Sequence, residues 1–182
     1  VADYTPESGP VPKGIDLTHG IIRSTYNGRN TTVGEAIVRR LSPHRNGKIT
    51  AYDQELLLPA SAPDTLRELH VLVALYEQQL LPEQKDLLGI TTVRFDHALP
   101  AHRQWELARV WAHASFTARG LPVELVHHIP GLSGRKHKPH LHALWPVRVL
   151  NGATFGAFSD LTNPGAKAIL ANEWAALVRA SP

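Results

Sequence analysis

The 182-residue chain reads as an α+β domain: a mainly antiparallel central sheet that carries a His-x-His metal site, with helices packed on it. Three observations predict this. Strand-like runs alternate with amphipathic helical periods, and no short hairpin signals join the runs. Two of the runs, VELVHH and HLHALW, bring histidines to facing ends of one strand–loop–strand unit. A hydrophobic content of 43% over this length is enough for one ordinary core, so residues 1–182 are expected to form a single domain.

Residues 1–20 hold three prolines and three glycines, a composition that predicts an extended arm. In TTVGEAIVRRL, the residues Val33, Ala36, Ile37 and Leu41 have helical spacing, closed by Pro43 and a turn at Asn46-Gly47. Residues 49–58 read as a strand stopped by Pro59. Asp64 is a good N-cap for a helix over Leu66, Leu69, Val73, Tyr76 and Leu80. ITTVRFDHAL, residues 90–99, alternates like a half-buried strand. HRQWELARVWAHASFTARG is the clearest helix, with Trp105, Ala108, Ala112 and Phe116 on one stripe and Gly120 at its end. PVELVHH and HLHALWPVRVL are strands, and Pro146 predicts an edge position or a bulge in the second. Asn163-Pro164 starts a last helix whose apolar face is Ile169, Leu170, Trp174, Leu177 and Val178.

Composition narrows the chemistry. With no cysteine, a metal must be held by His, Asp or Glu. The net charge of +3 permits an anionic partner without demanding one. No apolar run approaches ~20 residues and no charged-then-apolar leader is present, so no membrane segment and a cytoplasmic location are expected. The chain contains no methionine, which suggests a processed or internal piece of a longer product.

The stretch VELVHHIPGLSGRKHKPHLHALW holds five histidines. His140 and His142, two apart on a strand, project from the same face. Val123, Leu125 and His127 share one face of the preceding strand, and Glu124, Val126 and His128 share the other. If the Val/Leu face is the core, His128 joins the site and His127 is buried. His137 is a competing ligand, and His97, His102 and His113 read as structural or solvated. Three neutral imidazoles suit either a zinc hydrolase, with Glu124 or Asp96 as the nearest general base, or a Mg²⁺/Mn²⁺ phosphodiester enzyme.

His140-Leu141-His142 in KPHLHALW resembles the N-P-H-x-H signature of MobA/MobL plasmid-mobilisation relaxases, within the HUH endonuclease class, with Lys138 where Asn is usual. VELVHH is similar to the strand that ends in the family's first metal histidine. QELLLP, DHALP and the helix after it resemble the family's strand–Leu–Pro boundaries, so the likeness spans about residues 21–178. The resemblance implies His128, His140 and His142 as ligands of Mg²⁺ or Mn²⁺, with Zn²⁺ as the alternative. It implies Tyr26, in STYNGRN, as the nucleophile that cleaves and transfers one DNA strand at an origin of transfer through a 5′-phosphotyrosyl ester. Single-stranded DNA and accessory mobilisation proteins are the implied partners. Tyr52 is the rival tyrosine, expected to pack in its strand; Tyr4 lies in the arm and Tyr76 on a helix stripe.

Two departures stand out against that resemblance. No regular apolar strand precedes the tyrosine, and Arg94 stands where related sequences often carry a glutamate, with Asp96 the nearest acid. Basic residues cluster at both site segments: Arg23, Arg29, Arg39, Arg40, Arg45 and Lys48 near Tyr26, and Arg135, Lys136 and Lys138 near the histidines. They trace an expected DNA path. The alternatives to a relaxase are a zinc hydrolase on the same three histidines and a catalytically weak DNA-binding module with the relaxase fold.

Overall fold

The computed structural model describes residues 2–42 and 50–181. Five strands, β1 (Leu17–Arg23), β4 (Asp53–Leu57), β5 (Asp86–Arg94), β6 (Val123–His128) and β7 (His140–Pro146), form one antiparallel sheet in the order β1-β5-β7-β6-β4. Two small hairpins stand outside it: β2 (Thr25–Tyr26) with β3 (Arg29–Asn30), and β8 (Arg148–Asn151) with β9 (Thr154–Phe158). The helices are α1 (Val33–Leu41), α2 (Leu69–Gln78), α3 (Ala101–Ser115) and α4 (Ala166–Ala180).

Strand alternation sorts the sheet's residues onto two covered faces. Val93, Val123, Leu125, Leu141, Ala143 and Trp145 pack with Trp111 of α3 and Trp174 of α4. Ile22, Ile90, Val126 and Leu144 pack on the other face with Val33 and Ile37 of α1 and Leu72 and Tyr76 of α2. The α1 helix begins in a full capping box: Thr32 Oγ1 accepts from Glu35 N and Glu35 Oε2 accepts from Thr32 N. Along β7 the second face changes from Leu144 to His142 to His140, so the apolar layer ends where the histidines begin.

Several expectations are corrected. A strand does precede the tyrosine: β1 starts at Leu17, inside the predicted arm of residues 1–20. Its polar residues hid it: His19 is buried against Thr91 Oγ1 (3.0 Å) and stacked on Trp145, and Gly20 leaves room for the ring of Tyr4. Pro146 ends a central strand rather than marking an edge. The strand expected at 90–99 runs instead over β5, whose interior is buried on both faces, so alternation misplaced it. Asp64 opens a short 3₁₀ turn, Asp64–Arg67, and extended backbone at Glu68 delays α2 to Leu69.

Hairpins are present as well. Asn27 and Gly28, with φ of 48° and 74°, make the β2–β3 turn, and Gly152 at 59° opens the β8–β9 turn. The predicted Pro43 and Asn46-Gly47 turn, with Arg45 and Lys48, lies outside the described residues.

Candidate metal centre

His128 ends β6 and His140 begins β7, and the antiparallel register sets them directly opposite each other. His142 lies two residues along, on the same face. Their ring centroids are 5.0–5.5 Å apart, and one nitrogen from each lies within 4.8 Å of the others. His127 points the other way, fully buried, with Nε2 2.8 Å from Gln104 Oε1 and its ring stacked on Trp105. Strand alternation therefore separated the two adjacent histidines correctly.

Each of the three rings is oriented from behind. His140 Nδ1 donates to the Lys138 carbonyl at 3.0 Å, which leaves Nε2 unprotonated in the neutral ring. His142 Nδ1 is 2.7 Å from the hydroxyl of Thr92, its cross-strand partner, so Nε2 is again the remaining nitrogen. His128 has the Arg40 backbone carbonyl as its outer partner. Such contacts fix the tautomer and the angle of metal-binding imidazoles.

Electrostatics keep the rings neutral. Burial, and then the charge His140 would carry, lower His128 to about 4, against the opposing pull of the Arg40 carbonyl. Burial also lowers His140, and His142 falls well below its ordinary value through burial and its two histidine neighbours. Arg94, paired with His140 across β5 and β7, adds positive charge that acts in the same direction. Three neutral nitrogen donors with fixed rings fit a divalent cation.

The histidines open into a cavity of about 450 Å³, also lined by Asp3, Arg39, Arg40, Thr50, Ser133, Arg135 and His137. His137 is exposed and lies outside the three-nitrogen cluster. Lys138 and Arg94 both reach Asp16, at 3.2 and 3.3 Å, and Lys136, two residues before Lys138, is exposed. Asp3 and Asp16, both from the arm, were not foreseen; no local pattern marks them. Thr92 was legible in principle, since ITTVR is a strand and one of its two threonines must face the site side.

The structure does not bring Tyr26 to the histidines. Thr18 of β1 is level with Thr92 and His142, and Tyr26 lies past Arg23 in the β2–β3 hairpin, outside the residues that line the histidine cavity. Tyr26 lines a different cavity with Glu7, His19 and Arg23, and its hydroxyl accepts from Thr5 Oγ1 at 3.4 Å. Among the described residues lining the histidine cavity, the hydroxyls are Thr50 and Ser133, and none is a tyrosine. Arg23, ion-paired with Asp86 at 2.9 Å, and Arg29 stand with Tyr26. Tyr52 is 54% exposed rather than packed, edge-on to His127. Asp96 is exposed, and Glu124 is buried away from solvent.

No protein-family model and no curated protein matches the chain. A solved structure described as the molecular basis of vancomycin resistance transfer in Staphylococcus aureus is similar in fold, with a TM-score of 0.65 and 17% identity over 88% of this chain and 86% of that one. The α+β architecture anticipated from the sequence, an antiparallel sheet with helices packed on it, is the one observed.

Proposed function

We propose that the chain is a metal-dependent DNA-processing domain of the relaxase type, which binds single-stranded DNA at the histidine cavity and cleaves a phosphodiester there. The observation that carries this reading is the cluster of three neutral, back-bonded imidazoles at the end of an antiparallel sheet, walled by Arg39, Arg40 and Arg135. A divalent cation held by His128, His140 and His142 would supply positive charge to the non-bridging oxygens of a bound phosphate. Three nitrogen donors without a carboxylate favour Mn²⁺ or Zn²⁺ over Mg²⁺. The arginines hold the flanking phosphates, and Thr92, the Lys138 carbonyl and the Arg40 carbonyl keep the three rings aimed. The connection of the protein of similar fold with vancomycin resistance transfer supports a role in moving DNA, with an origin of transfer as the substrate and accessory mobilisation proteins as partners. No helix among the described residues is long and apolar enough to cross a membrane.

Tyr26's place in a separate cavity favours a second reading of the attack, in which water rather than Tyr26 displaces the strand and the product ends are free. Cleavage of a labelled single-stranded oligonucleotide with Mn²⁺, Zn²⁺ and Mg²⁺ tests both. We expect His142→Ala to abolish cutting and Tyr26→Phe to leave it intact. Loss of cutting in Tyr26→Phe, with a tyrosine-linked product in the wild type, would restore the phosphotyrosyl mechanism. Tight, salt-sensitive DNA binding without cutting under any of the three metals would leave a DNA-binding module.

A further inference from the structure

The basic step on α1 nearest the histidines already holds an anion. Arg40 Nη1 and Nη2 donate to Asp3 Oδ2 and Oδ1, both at 2.5 Å, and Arg39 Nη1 donates to Oδ2 at 3.0 Å. This two-pronged grip is the one by which a guanidinium holds a phosphate. The side chains of Arg40 and Asp3 are 10% and 12% exposed, and all three residues line the cavity of the three histidines. Burial opposes charge on Asp3, yet the Arg40 hydrogen bond and both guanidinium charges outweigh it and hold the carboxyl below its usual range.

The chain that carries Asp3 is stapled one residue later. The ring of Tyr4 covers Gly20 so closely that a Cβ there would stand 2.4 Å from Tyr4 Cδ2. Pro6 bridges Gly20, and Glu7 N donates to the His19 carbonyl at 2.7 Å. The Glu7 carboxylate accepts from Gly165 N and Lys167 N at the start of α4. Residues 4–7 thus wrap the free edge of β1, and Asp3 reaches from that anchor into the cavity.

We propose that Arg39 and Arg40 form a phosphate subsite beside the histidines, and that Asp3 occupies it as an internal competitor until a backbone phosphate of single-stranded DNA displaces it. The proposal rests on the DNA-processing reading. Asp3 already takes both Nη atoms of Arg40 and one of Arg39, so a phosphate gains the two-pronged grip of Arg40 only by displacing the carboxylate. Bound Asp3 therefore weakens every strand's affinity by the same factor and leaves discrimination to contacts elsewhere.

The test compares wild type with Asp3→Asn, which keeps the Tyr4 and Glu7 anchors, by anisotropy of a labelled 12-nucleotide single strand at fixed salt. Asp3→Asn should bind about tenfold more tightly, and adding Arg40→Gln should remove the gain. In the wild type, hydrogen exchange at residues 2–4 should quicken when the oligonucleotide is added, a readout that needs no variant to fold. Equal or weaker binding by a folded Asp3→Asn, or slower exchange at residues 2–4, would overturn the competitor role. Tripolyphosphate separates the two readings. If neither protein binds DNA but Asp3→Asn alone gains affinity for tripolyphosphate through Arg40, the competitor role stands and the DNA reading falls.

Discussion

Glu124 should make the fold less stable as pH rises. Its side chain points from β6 into the apolar layer formed by Val33, Ile37, Leu72, Tyr76, Leu88 and Leu144, it is 2% exposed, and neither carboxylate oxygen has a hydrogen-bond partner. Burial first, and then the charge of Glu55 on the neighbouring strand, push its pKa from 4.5 to about 8. The folded state therefore holds this proton more tightly than the unfolded chain does. The associated stability is complete below 4.5, declines as pH rises, and is gone above about 8. At 1.36 kcal/mol per pH unit the full loss is roughly 5 kcal/mol, a large part of a typical domain's stability. The perturbation is Glu124→Leu, which removes both the titration and the unpaired polar atoms. Urea unfolding at half-unit steps from pH 5 to 9 should show wild-type stability falling across that window and a flatter profile for the variant. The variant should be the more stable by several kcal/mol at pH 8.5. Parallel profiles in the two proteins would show that Glu124 keeps its ordinary ionisation in the fold and would refute the reasoning.

Three other outcomes are expected. Burial lowers His19 and His127 to about 4, so each contributes stability that is present above 6.5 and lost as pH falls through 4; wild-type thermal midpoints should drop steeply over that interval. Thr92→Val removes the hydroxyl that orients His142 and should weaken Zn²⁺ or Mn²⁺ binding by about 10–100-fold in calorimetric titration while leaving the fold intact. Gly89→Ala would set a Cβ 2.0 Å from the Trp145 ring and should destabilise the domain by about 1–3 kcal/mol or more, read by urea midpoint.

Helices and sites were unequally legible. The α1 stripe of Val33, Ala36, Ile37 and Leu41 is where the periodicity predicts, whereas α3 stops at Ser115 and Gly120 caps the 3₁₀ turn Thr117–Arg119 that follows it. The strands most covered by other elements were the hardest to place. β5 has no polar face in its interior to produce alternation, and β1 carries a buried histidine and a glycine whose reasons lie in Trp145 and Tyr4, far away in sequence. The Asn27-Gly28 hairpin has a clear local signal, an Asn-Gly pair with both φ values positive.

The division at the site follows from the range of the forces involved. The sequence by itself determined that His140 and His142 share a face and that His127 and His128 do not, because a strand's period of two is set by its own backbone. It also put His128 on the face of His140 and His142, through the apolar side chains that must face inward. Only the tertiary structure decided what surrounds them: Thr92 and Arg94 arrive by cross-strand register, Arg40 by the docking of α1, and Asp3 by an arm that crosses the edge of β1. The chain after β1 then places Tyr26 in the β2–β3 hairpin, against Thr5 and in a cavity apart from the histidines. Strand order and direction depend on long-range closure and on which apolar faces bury one another, and no spacing within a single segment records them.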